Sequence, residues 1–147
     1  MPRIIVLHAT AGKSDAGDLD WLMRPDLAKP VSYHSVCGRN GGLYSLVDYD
    51  RRAWHAGVAN WKGISDVNAI SVGLAWSNRH DGTEPLTPIQ MAVMEGVVQY
   101  LAVKYPTIED VLTHHDVAPQ RKRDPNDCPG FDLSQYRDAL RKARGGP

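Results

Sequence analysis

The sequence is poor in cysteine and carries no excess charge of either sign. Its 147 residues include two cysteines, Cys37 and Cys128, which lie far apart in the chain. Two cysteines cannot form a disulfide framework, and without a close Cys pair the chain lacks the usual ligands of a structural zinc site. The 17 basic and 17 acidic residues give a formal net charge of zero with histidine neutral. This balance argues against nucleic acid or an anionic membrane surface as a partner.

Long apolar runs and repeats are also missing. Only a few apolar residues separate Met1-Pro2-Arg3 from His8, which is too short for the core of a signal peptide and far too short to span a bilayer. We therefore expect a protein that is cytoplasmic as synthesised, with no stable membrane association. The length suits one compact domain with its own core, so we expect a monomer formed by a single domain over 1–147.

What the sequence does contain is an alternation of apolar runs and helix signals. Ile4-Ile5-Val6-Leu7 is continuous and apolar, which predicts a buried central strand ending at His8. Thr87-Pro88-Ile89-Gln90 combines an N-cap, a proline at the first helical position and a capping box, and predicts a helix that runs to about Lys104. Further strands are predicted over 31–36, 43–47, 70–76 and 111–113, with a hairpin turn over 38–42. A short helix is expected to begin at an Asp15 cap and run through Met23, and a final helix, capped by Asp132, to cover roughly Leu133 to Lys142. Breaks are expected at Pro25 and Pro30, and an ordered surface loop over 50–62. Strands that alternate with helices, together with one hairpin, predict an α/β fold with a central mixed β-sheet flanked by helices.

Histidines at strand ends are the first functional signal. Taken singly, each of the six histidines is more often a hydrogen-bonded structural residue than a ligand. His8, however, ends the first predicted strand and His114 ends the penultimate one, and the segment over 116–132 adds carboxylates and a cysteine. Two imidazoles with one carboxylate or thiolate leave an open fourth position, which is the arrangement of a catalytic zinc.

Several segments, taken in order, carry a family resemblance. The most specific are His114-His115-Asp116-Val117-Ala118-Pro119 and Cys128-Pro129-Gly130-Phe131-Asp132-Leu133. The other matching segments are 4–10, 33–34, 54–57, 68–76 and 87–90. In this order they resemble the zinc-dependent N-acetylmuramoyl-L-alanine amidases, a family that includes phage T7 lysozyme, the bacterial anhydro-muropeptide amidases and the peptidoglycan recognition proteins. The resemblance covers essentially the whole chain.

The resemblance implies a fold, a cofactor and an activity. The expected fold is a mixed sheet with flanking helices and a zinc ion in a surface groove, and the expected reaction cleaves the amide between N-acetylmuramic acid and L-alanine in peptidoglycan. By position in the matching segments, His8 and His114 resemble the metal ligands, Tyr33 the catalytic tyrosine and Lys122 the catalytic lysine. Some family members carry a glutamate near the position of Ala75, so this chain is expected to depend on Tyr33 and Lys122 instead.

The third metal ligand has two candidates. The family has a lysine two residues before this ligand, and Lys122-Arg123-Asp124 satisfies that rule with Asp124, as in the anhydro-muropeptide branch. Cys128-Pro129-Gly130 resembles the T7 lysozyme branch, where the cysteine binds zinc, although Asn126 stands two residues before it here. Asp124 is therefore preferred, while Cys128 stays open because thiolate is a softer and often tighter zinc ligand.

The remaining polar residues of the matching segments are expected around the groove. We expect His34, His55 and Trp54 to bind substrate, with the alternative that the two histidines are hydrogen-bonded residues that hold loops. His115 is expected to point to the opposite face of the sheet from His114 if the strand persists, and His80 to be solvated.

Three biological roles are compatible with this sequence. The first, which is the preferred one, is a phage endolysin that degrades the bacterial cell wall after the membrane has been permeabilised. The second is a cytoplasmic amidase that recycles muropeptides, and the third is a peptidoglycan-binding module that has lost its metal. The intact set of His8, His114 and Asp124 or Cys128 argues against the third.

Overall fold

The computed structural model describes residues 1–24 and 31–147, so that the breaks expected at Pro25 and Pro30 lie outside the described residues. Its elements in chain order are β1 (Ile4–Ala9), α1 (Asp15–Leu22), β2 (Ser35–Cys37), β3 (Leu43–Ser45), a 3-10 helix (Val67–Ile70), β4 (Ser71–Trp76), α2 (Pro88–Lys104), β5 (Asp110–Thr113), α3 (His114–Val117) and α4 (Leu133–Ala143). None of the helices in these two described ranges is both long enough and apolar enough to cross a membrane.

The five strands of the described residues form one mixed sheet in the order β3-β2-β4-β1-β5. β1 pairs in parallel with β4 and β5, and β2 pairs in parallel with β4, whereas β3 runs antiparallel to β2. The predicted α/β fold with a central mixed sheet and flanking helices is confirmed. Because four of the strands run in the same direction, their carboxyl ends lie at one edge of the sheet, and the residues that follow them come together there.

One face of the sheet, which we call the helix face, is covered by α2 and α4. Ile5 and Leu7 of β1 point to this side and pack with Leu101 of α2 and Tyr136 of α4 in the larger apolar core. Trp76, which ends β4, is fully buried in the same core. Alternate residues of each strand thus supply an apolar layer on this face. Burial of such apolar surface is the main favourable contribution to the free energy of folding.

The opposite side, which we call the loop face, is covered mainly by the irregular segment 50–66. Ile4 and Val6 of β1 pack there with Ala56 and Trp61 of that segment. His8 lies on this face as well, because side chains alternate along the strand. The two faces therefore use alternate residues of the same apolar run.

Local signals place most element boundaries close to the predicted ones. Thr87 caps α2 by accepting a hydrogen bond from the Gln90 amide, and Gln90 completes the predicted capping box. Asp132 caps α4 as predicted. The cap of α1 is Ser14, and Asp15 is instead its first helical residue.

The hairpin strands are shorter than the predicted ranges 31–36 and 43–47. β2 and β3 each contain three paired residues, and the predicted turn between them closes with a hydrogen bond from the Gly41 amide to the Gly38 carbonyl. The amides of Leu46 and Val47 both reach the carbonyl of His34. This shared acceptor interrupts the regular ladder and explains why β3 ends early.

Candidate metal centre

His8 enters the site from the central strand. β1 continues to Ala9, one residue past the predicted end, so that His8 is paired within the sheet opposite Ala75 of β4. Its imidazole is fully buried on the loop face. A fully buried side chain on a paired strand residue has little freedom to move, which suits a metal ligand.

A capping box brings His114 beside His8. Thr113 Oγ1 accepts a hydrogen bond from the Asp116 amide, and Asp116 Oδ2 accepts one from the Thr113 amide, both at 2.9 Å. This reciprocal pair starts α3 at His114, directly at the carboxyl end of β5. The strand therefore does not persist past Thr113, and His115 does not point to the opposite face of the sheet. Its Nδ1 instead donates to the Lys122 carbonyl at 2.7 Å.

Asp124 reaches the same place from the loop that follows α3. The His115 amide donates to the Asp124 carbonyl at 3.2 Å, which fixes the loop backbone. The Ala9 amide donates to Asp124 Oδ2 at 3.3 Å, which ties the carboxylate to the end of β1. The carboxylate is thus held next to both imidazoles.

The three side chains form a compact triangle of possible metal ligands. His8 Nδ1 lies 3.0 Å from His114 Nδ1 and 3.3 Å from Asp124 Oδ2, and His114 Nδ1 lies 3.3 Å from the same oxygen. A tetrahedral zinc-type centre with its usual bond lengths has ligand atoms separated by about 3.4 Å. The three side chains can therefore hold a metal ion, and their donor set of two imidazoles and one carboxylate fits a site with an open position.

Backbone contacts fix the orientation of His114. Its Nε2 lies 3.0 Å from the Ala56 carbonyl, and Arg121 Nη2 donates to the same carbonyl at 2.8 Å. A carbonyl only accepts, so His114 Nε2 must carry the proton, and Nδ1 presents a lone pair toward Asp124. Gly57 permits the contact with Arg121, since a Cβ there would lie 2.7 Å from the guanidinium.

The protonation states also suit a cation. Burial lowers the pKa of His8 to about 4, so its imidazole is neutral at neutral pH. Burial acts to raise the pKa of the Asp124 carboxyl, but a proton that the carboxylate shares with Nδ1 of His114 or His8 lowers it well below its usual range. A neutral imidazole beside an ionised carboxylate is the state in which both groups bind a metal.

Tyr33 and Lys122 lie beside this triangle. The Tyr33 ring is 5.0 Å from the His8 ring, between centroids, and burial raises the pKa of its phenol, which therefore stays protonated. Lys122 is exposed and lines the groove above the triangle. Across the described ranges its ammonium group forms neither an ion pair nor a hydrogen bond with another residue. A neutral hydroxyl donor and an uncommitted cation thus face the same space.

The space is a groove of about 640 Å³ that opens over the triangle. Its walls include the half-exposed indoles of Trp21 and Trp54 and the cationic side chains of Arg121 and Arg123. Aromatic walls with a few convergent polar groups are typical of ligand-binding sites. The groove therefore combines a metal-binding cluster with surfaces for a partly apolar, anionic ligand.

Comparison with known proteins agrees with this geometry. A sequence profile of the family described as "N-acetylmuramoyl-L-alanine amidase" matches residues 1–127. The chain belongs to the N-acetylmuramoyl-L-alanine amidase family. The expected family membership is therefore confirmed.

Relatives within this family are named as N-acetylmuramyl-L-alanine amidases, and AmpD is named for the 1,6-anhydro form. The 1,6-anhydro-N-acetylmuramyl-L-alanine amidase AmpD of Salmonella typhimurium strain SL1344 is 38% identical over 110 residues, which are 73% of this chain and 56% of the relative. A crystal structure of a selenomethionine AmpD derivative superposes with a TM-score of 0.80 at 28% identity and covers 94% of this chain and 84% of that one. The Escherichia coli amidase AmiD, in a complex with anhydro-N-acetylmuramic acid-L-Ala-D-gamma-Glu-L-Lys, has a TM-score of 0.78 at 28% identity, over 94% of this chain and 57% of that one. The chain thus spans just over half the length of the first of these relatives.

In this amidase-family chain, Cys128 lies away from the triangle. It belongs to the apolar core on the helix face, where burial raises the pKa of its thiol to about 12. The cluster of possible metal ligands found in the described residues contains Asp124 and not Cys128. Both cysteines are buried and unpaired with each other, and Cys37 is a small apolar core residue.

The predicted substrate-binding residues separate into two groups. Trp54 and His55 line the groove, whereas His34 is fully buried and does not. His34 Nε2 donates to the Arg51 carbonyl at 2.7 Å, and its Nδ1 accepts from the Gly73 amide at 3.0 Å. His34 therefore follows the alternative interpretation of the sequence, in which it holds the backbone.

Two groove residues were missed from the sequence. His80, expected to be solvated, has its Nε2 3.1 Å from the Asp127 amide and so holds the loop that carries Asp124. Trp21 of α1 also lines the groove, although it lies outside the segments that carry the family resemblance. The sequence offered only the tryptophan itself, since the exposure of its indole is evident only in the structure.

Proposed function

We propose that the chain is a zinc-dependent amidase that hydrolyses the bond between the lactyl group of N-acetylmuramic acid and L-alanine in a muropeptide. The observation that carries the proposal is the triangle of His8, His114 and Asp124, with separations of 3.0 to 3.3 Å, in the groove of a family member. We further propose that this amidase domain extends over 1–147. That the chain is a monomer stays a prediction.

Zinc is the metal that we propose for the triangle. Two imidazoles and one carboxylate are ligands that zinc accepts in catalytic sites, where a fourth position stays open for water or substrate. When bound, zinc supplies Lewis-acid activation of a water molecule and of the scissile carbonyl. We assign the third ligand to Asp124, since the Cys128 thiol is buried in the opposite layer with a raised pKa.

Lys122 and Tyr33 complete the proposed chemistry. Attack on the amide carbonyl moves negative charge onto its oxygen, and the Lys122 ammonium, which lines the groove, is available to stabilise that charge. Tyr33 keeps its proton because burial raises its pKa, so its hydroxyl is a hydrogen-bond donor to the attacking water or to the same oxygen. Both groups act most strongly where charge develops in the transition state.

Trp54 is proposed to bind the sugar ring. Its indole is half exposed in the groove, and the Arg52 guanidinium stacks on it at 4.1 Å from the ring centroid. Asp66 accepts two hydrogen bonds from that guanidinium, at 2.7 and 3.1 Å. With one side of the indole covered by a fixed cation, the other side offers a rigid surface for an apolar sugar face.

We propose soluble anhydro-muropeptides, rather than intact cell wall, as the substrate. The support comes from the relatives: AmpD is named for 1,6-anhydro-N-acetylmuramyl-L-alanine, and the AmiD structure holds an anhydro-muropeptide. This favours muropeptide recycling over endolysin-type cell-wall lysis as the biological role. A peptidoglycan-binding module without metal is the remaining alternative.

Mass spectrometry of reaction products tests the proposal. Zinc-loaded protein is incubated in parallel with soluble anhydro-muropeptides and with purified sacculi. We expect release of a stem peptide with a free L-alanine amino group from the soluble substrate, and much slower release from sacculi. Equal cleavage of both substrates would favour the lytic role. Protein that contains one zinc per chain and cleaves neither substrate would contradict amidase activity, and protein that binds no zinc would support the binding module.

A further inference from the structure

A chain of buried hydrogen bonds runs from His8 to the backbone at the start of β4. His8 Nε2 lies 2.8 Å from His55 Nδ1, and His55 Nε2 lies 2.9 Å from Ser71 Oγ. Ser71 Oγ lies 2.6 Å from the Val67 carbonyl. All four residues are buried, so water does not compete for these contacts.

The carbonyl at the end of this chain sets the direction of every proton in it. The Val67 oxygen can only accept, so the single Ser71 hydroxyl proton must point to it. The Ser71 oxygen then accepts from His55 Nε2, which leaves a lone pair on His55 Nδ1. His8 must therefore donate from Nε2, and its Nδ1 presents a lone pair toward His114 and Asp124.

We propose that His55 is a positioning residue that fixes the tautomer and the ring orientation of His8 for metal binding, with Ser71 as its anchor. This inference rests on the proposed ligand triangle. Metal-binding imidazoles generally give their other N–H to a partner, and loss of that partner weakens metal binding by about 10- to 100-fold. In this chain the partner is a second imidazole, whose own tautomer is set by a hydroxyl and a carbonyl.

The backbone around His55 is arranged to hold its ring in place. Asn68 Oδ1 accepts hydrogen bonds from the amides of both His55 and Ala56, at 3.1 and 2.9 Å. The His55 ring lies against the backbone of Gly73, where a Cβ would approach its atoms to between 2.4 and 2.7 Å. Ring atoms cannot yield at that distance, so a glycine at position 73 of β4 is a condition for this orientation.

The same contacts argue against substrate binding by His55. The residue is 4% exposed, and both of its ring nitrogens already have partners within the protein. No N–H or lone pair is left to face a ligand. His55 therefore acts on the reaction through His8, although its residue lines the groove.

His34 provides a matched control within the same cluster. It is a buried histidine whose ring lies 6.2 Å from that of His55, between centroids. Both of its nitrogens are also paired, but with the Arg51 carbonyl and the Gly73 amide. Substitution of His34 thus removes a buried imidazole of equal size with no break in the chain from His8 to Val67.

Zinc affinity, measured by competition with a chelator, is the first test. We expect His55→Phe to bind zinc about 10- to 100-fold more weakly than the unsubstituted protein. Ser71→Ala should weaken binding by a smaller factor, because it removes only the anchor. His34→Phe should stay within about twofold of the unsubstituted protein, since it leaves the ligands and their partners intact.

Nuclear magnetic resonance of the metal-free protein at neutral pH is the second test and needs no variant. Long-range proton–nitrogen correlations report which ring nitrogen carries the proton, and we expect Nε2 for both His8 and His55. A proton on Nδ1 of His55, or a His8 ring without a proton on Nε2, would overturn the proposal, as would an unchanged zinc affinity of folded His55→Phe. Absence of zinc binding by the unsubstituted protein would instead remove the proposed function itself.

Discussion

The two faces of the sheet are built from the same strands by different means. On the helix face, Ile5 and Leu7 are covered by α2 and α4, and apolar burial provides the stability. On the loop face, His8, Ser71 and Gly73 meet a segment without regular structure, and directed hydrogen bonds fix the geometry. The shape and volume of apolar side chains determine the packing of the helix face, whereas the geometry of the loop face depends on which ring nitrogen carries each proton.

This difference has an energetic consequence for the loop face. A buried polar group is costly unless it is hydrogen-bonded, and here the bonds from Val67 to His8 satisfy each donor in turn. At the end of this chain of hydrogen bonds, His8 Nδ1 presents a lone pair. Its neighbours, His114 Nδ1 and the Asp124 carboxylate, are also acceptors. Such a cluster is stable only with a cation or a shared proton, so the loop face is arranged for a ligand and the helix face is not.

Removal of a proposed metal ligand should give the largest effect, and that effect should be confined to the loop face. We expect Asp124→Ala to lose stoichiometric zinc and to reduce amidase turnover about a thousandfold, equivalent to about 4 kcal/mol. The physical reason is the loss of the only anionic member of the triangle. Zinc content by atomic spectroscopy and turnover on anhydro-muropeptide measure both effects.

Cys128→Ala is the control for this prediction, because Cys128 belongs to the helix-face core. It should cost about 1 kcal/mol of stability and leave zinc content unchanged. If Cys128→Ala loses zinc while Asp124→Ala retains it, the assignment of the third ligand is wrong, and the role of Lys122 must be revised with it.

A cavity in the helix-face core should lower stability and leave zinc binding unchanged, which is the opposite of the result expected for Asp124→Ala. Leu101 is fully buried in the larger core, so Leu101→Ala should lower the free energy of unfolding by about 2 to 5 kcal/mol. Zinc affinity at a temperature where the variant is folded should stay unchanged. Urea denaturation and chelator competition measure the two quantities.

Val103→Ala, at a 68% exposed position of the same helix, is the matched control for Leu101→Ala and should change stability by at most about 0.5 kcal/mol. A large loss of zinc affinity in folded Leu101→Ala would show that the two faces are coupled. The distinction between a face for stability and a face for function would then not hold.

The helix face was largely predictable from the sequence, and the reason is that its signals are local. The apolar run before His8 predicts a strand, and Thr87 with Gln90 predicts the start of α2. A capping pattern at Thr113 and Asp116 was equally local, yet the preceding strand concealed it, and α3 was missed. Periodicity and caps thus indicated the fold, with errors where two local signals overlap.

The histidines at the strand ends indicated a metal site on the loop face, but the roles of the other residues there were predictable only through the family resemblance. His8 meets His55 across 47 positions of the chain and His114 across 106, and no local pattern records such contacts. The choice between Asp124 and Cys128 was open for the same reason, since both follow the last histidine at short spacing. The assigned roles of the site residues remain predictions.

Loss of a charge-stabilising or donor group should give an intermediate effect with the metal retained. We expect Lys122→Ala and Tyr33→Phe each to reduce turnover about a hundredfold, because each removes a partner of the developing negative charge. Zinc content should be normal, since neither residue belongs to the triangle. Near-normal turnover in either variant would remove that residue from the proposed mechanism.

The smallest predicted effect concerns the charged contacts that hold the loops at the carboxyl edge of the sheet. Arg39, which follows β2, donates to Glu84 through Nε at 2.6 Å and Nη2 at 3.0 Å, and to Asp15 of α1 through Nη1 at 2.8 Å. The hydrogen bond from Arg39 lowers the pKa of Glu84 below its ordinary value of 4.5. The pair is partly exposed, so we expect Glu84→Gln to cost at most about 1 kcal/mol at neutral pH.

The pH dependence of the stability lost in Glu84→Gln shows whether the charge of Glu84 or only its packing stabilises these loops. A carboxyl whose pKa is lower in the folded state stabilises the protein above its unfolded pKa and loses that contribution as the pH falls through the folded value. The difference in melting temperature between the unsubstituted protein and Glu84→Gln should therefore shrink below pH 4.5. Glu109→Gln, at a more exposed pair with Arg3, should show a smaller difference at every pH. If the difference in melting temperature for Glu84→Gln stays constant at acid pH, these loops are held by packing, as the helix face is. Directed polar contacts would then distinguish the loop face from the helix face only at the residues around His8.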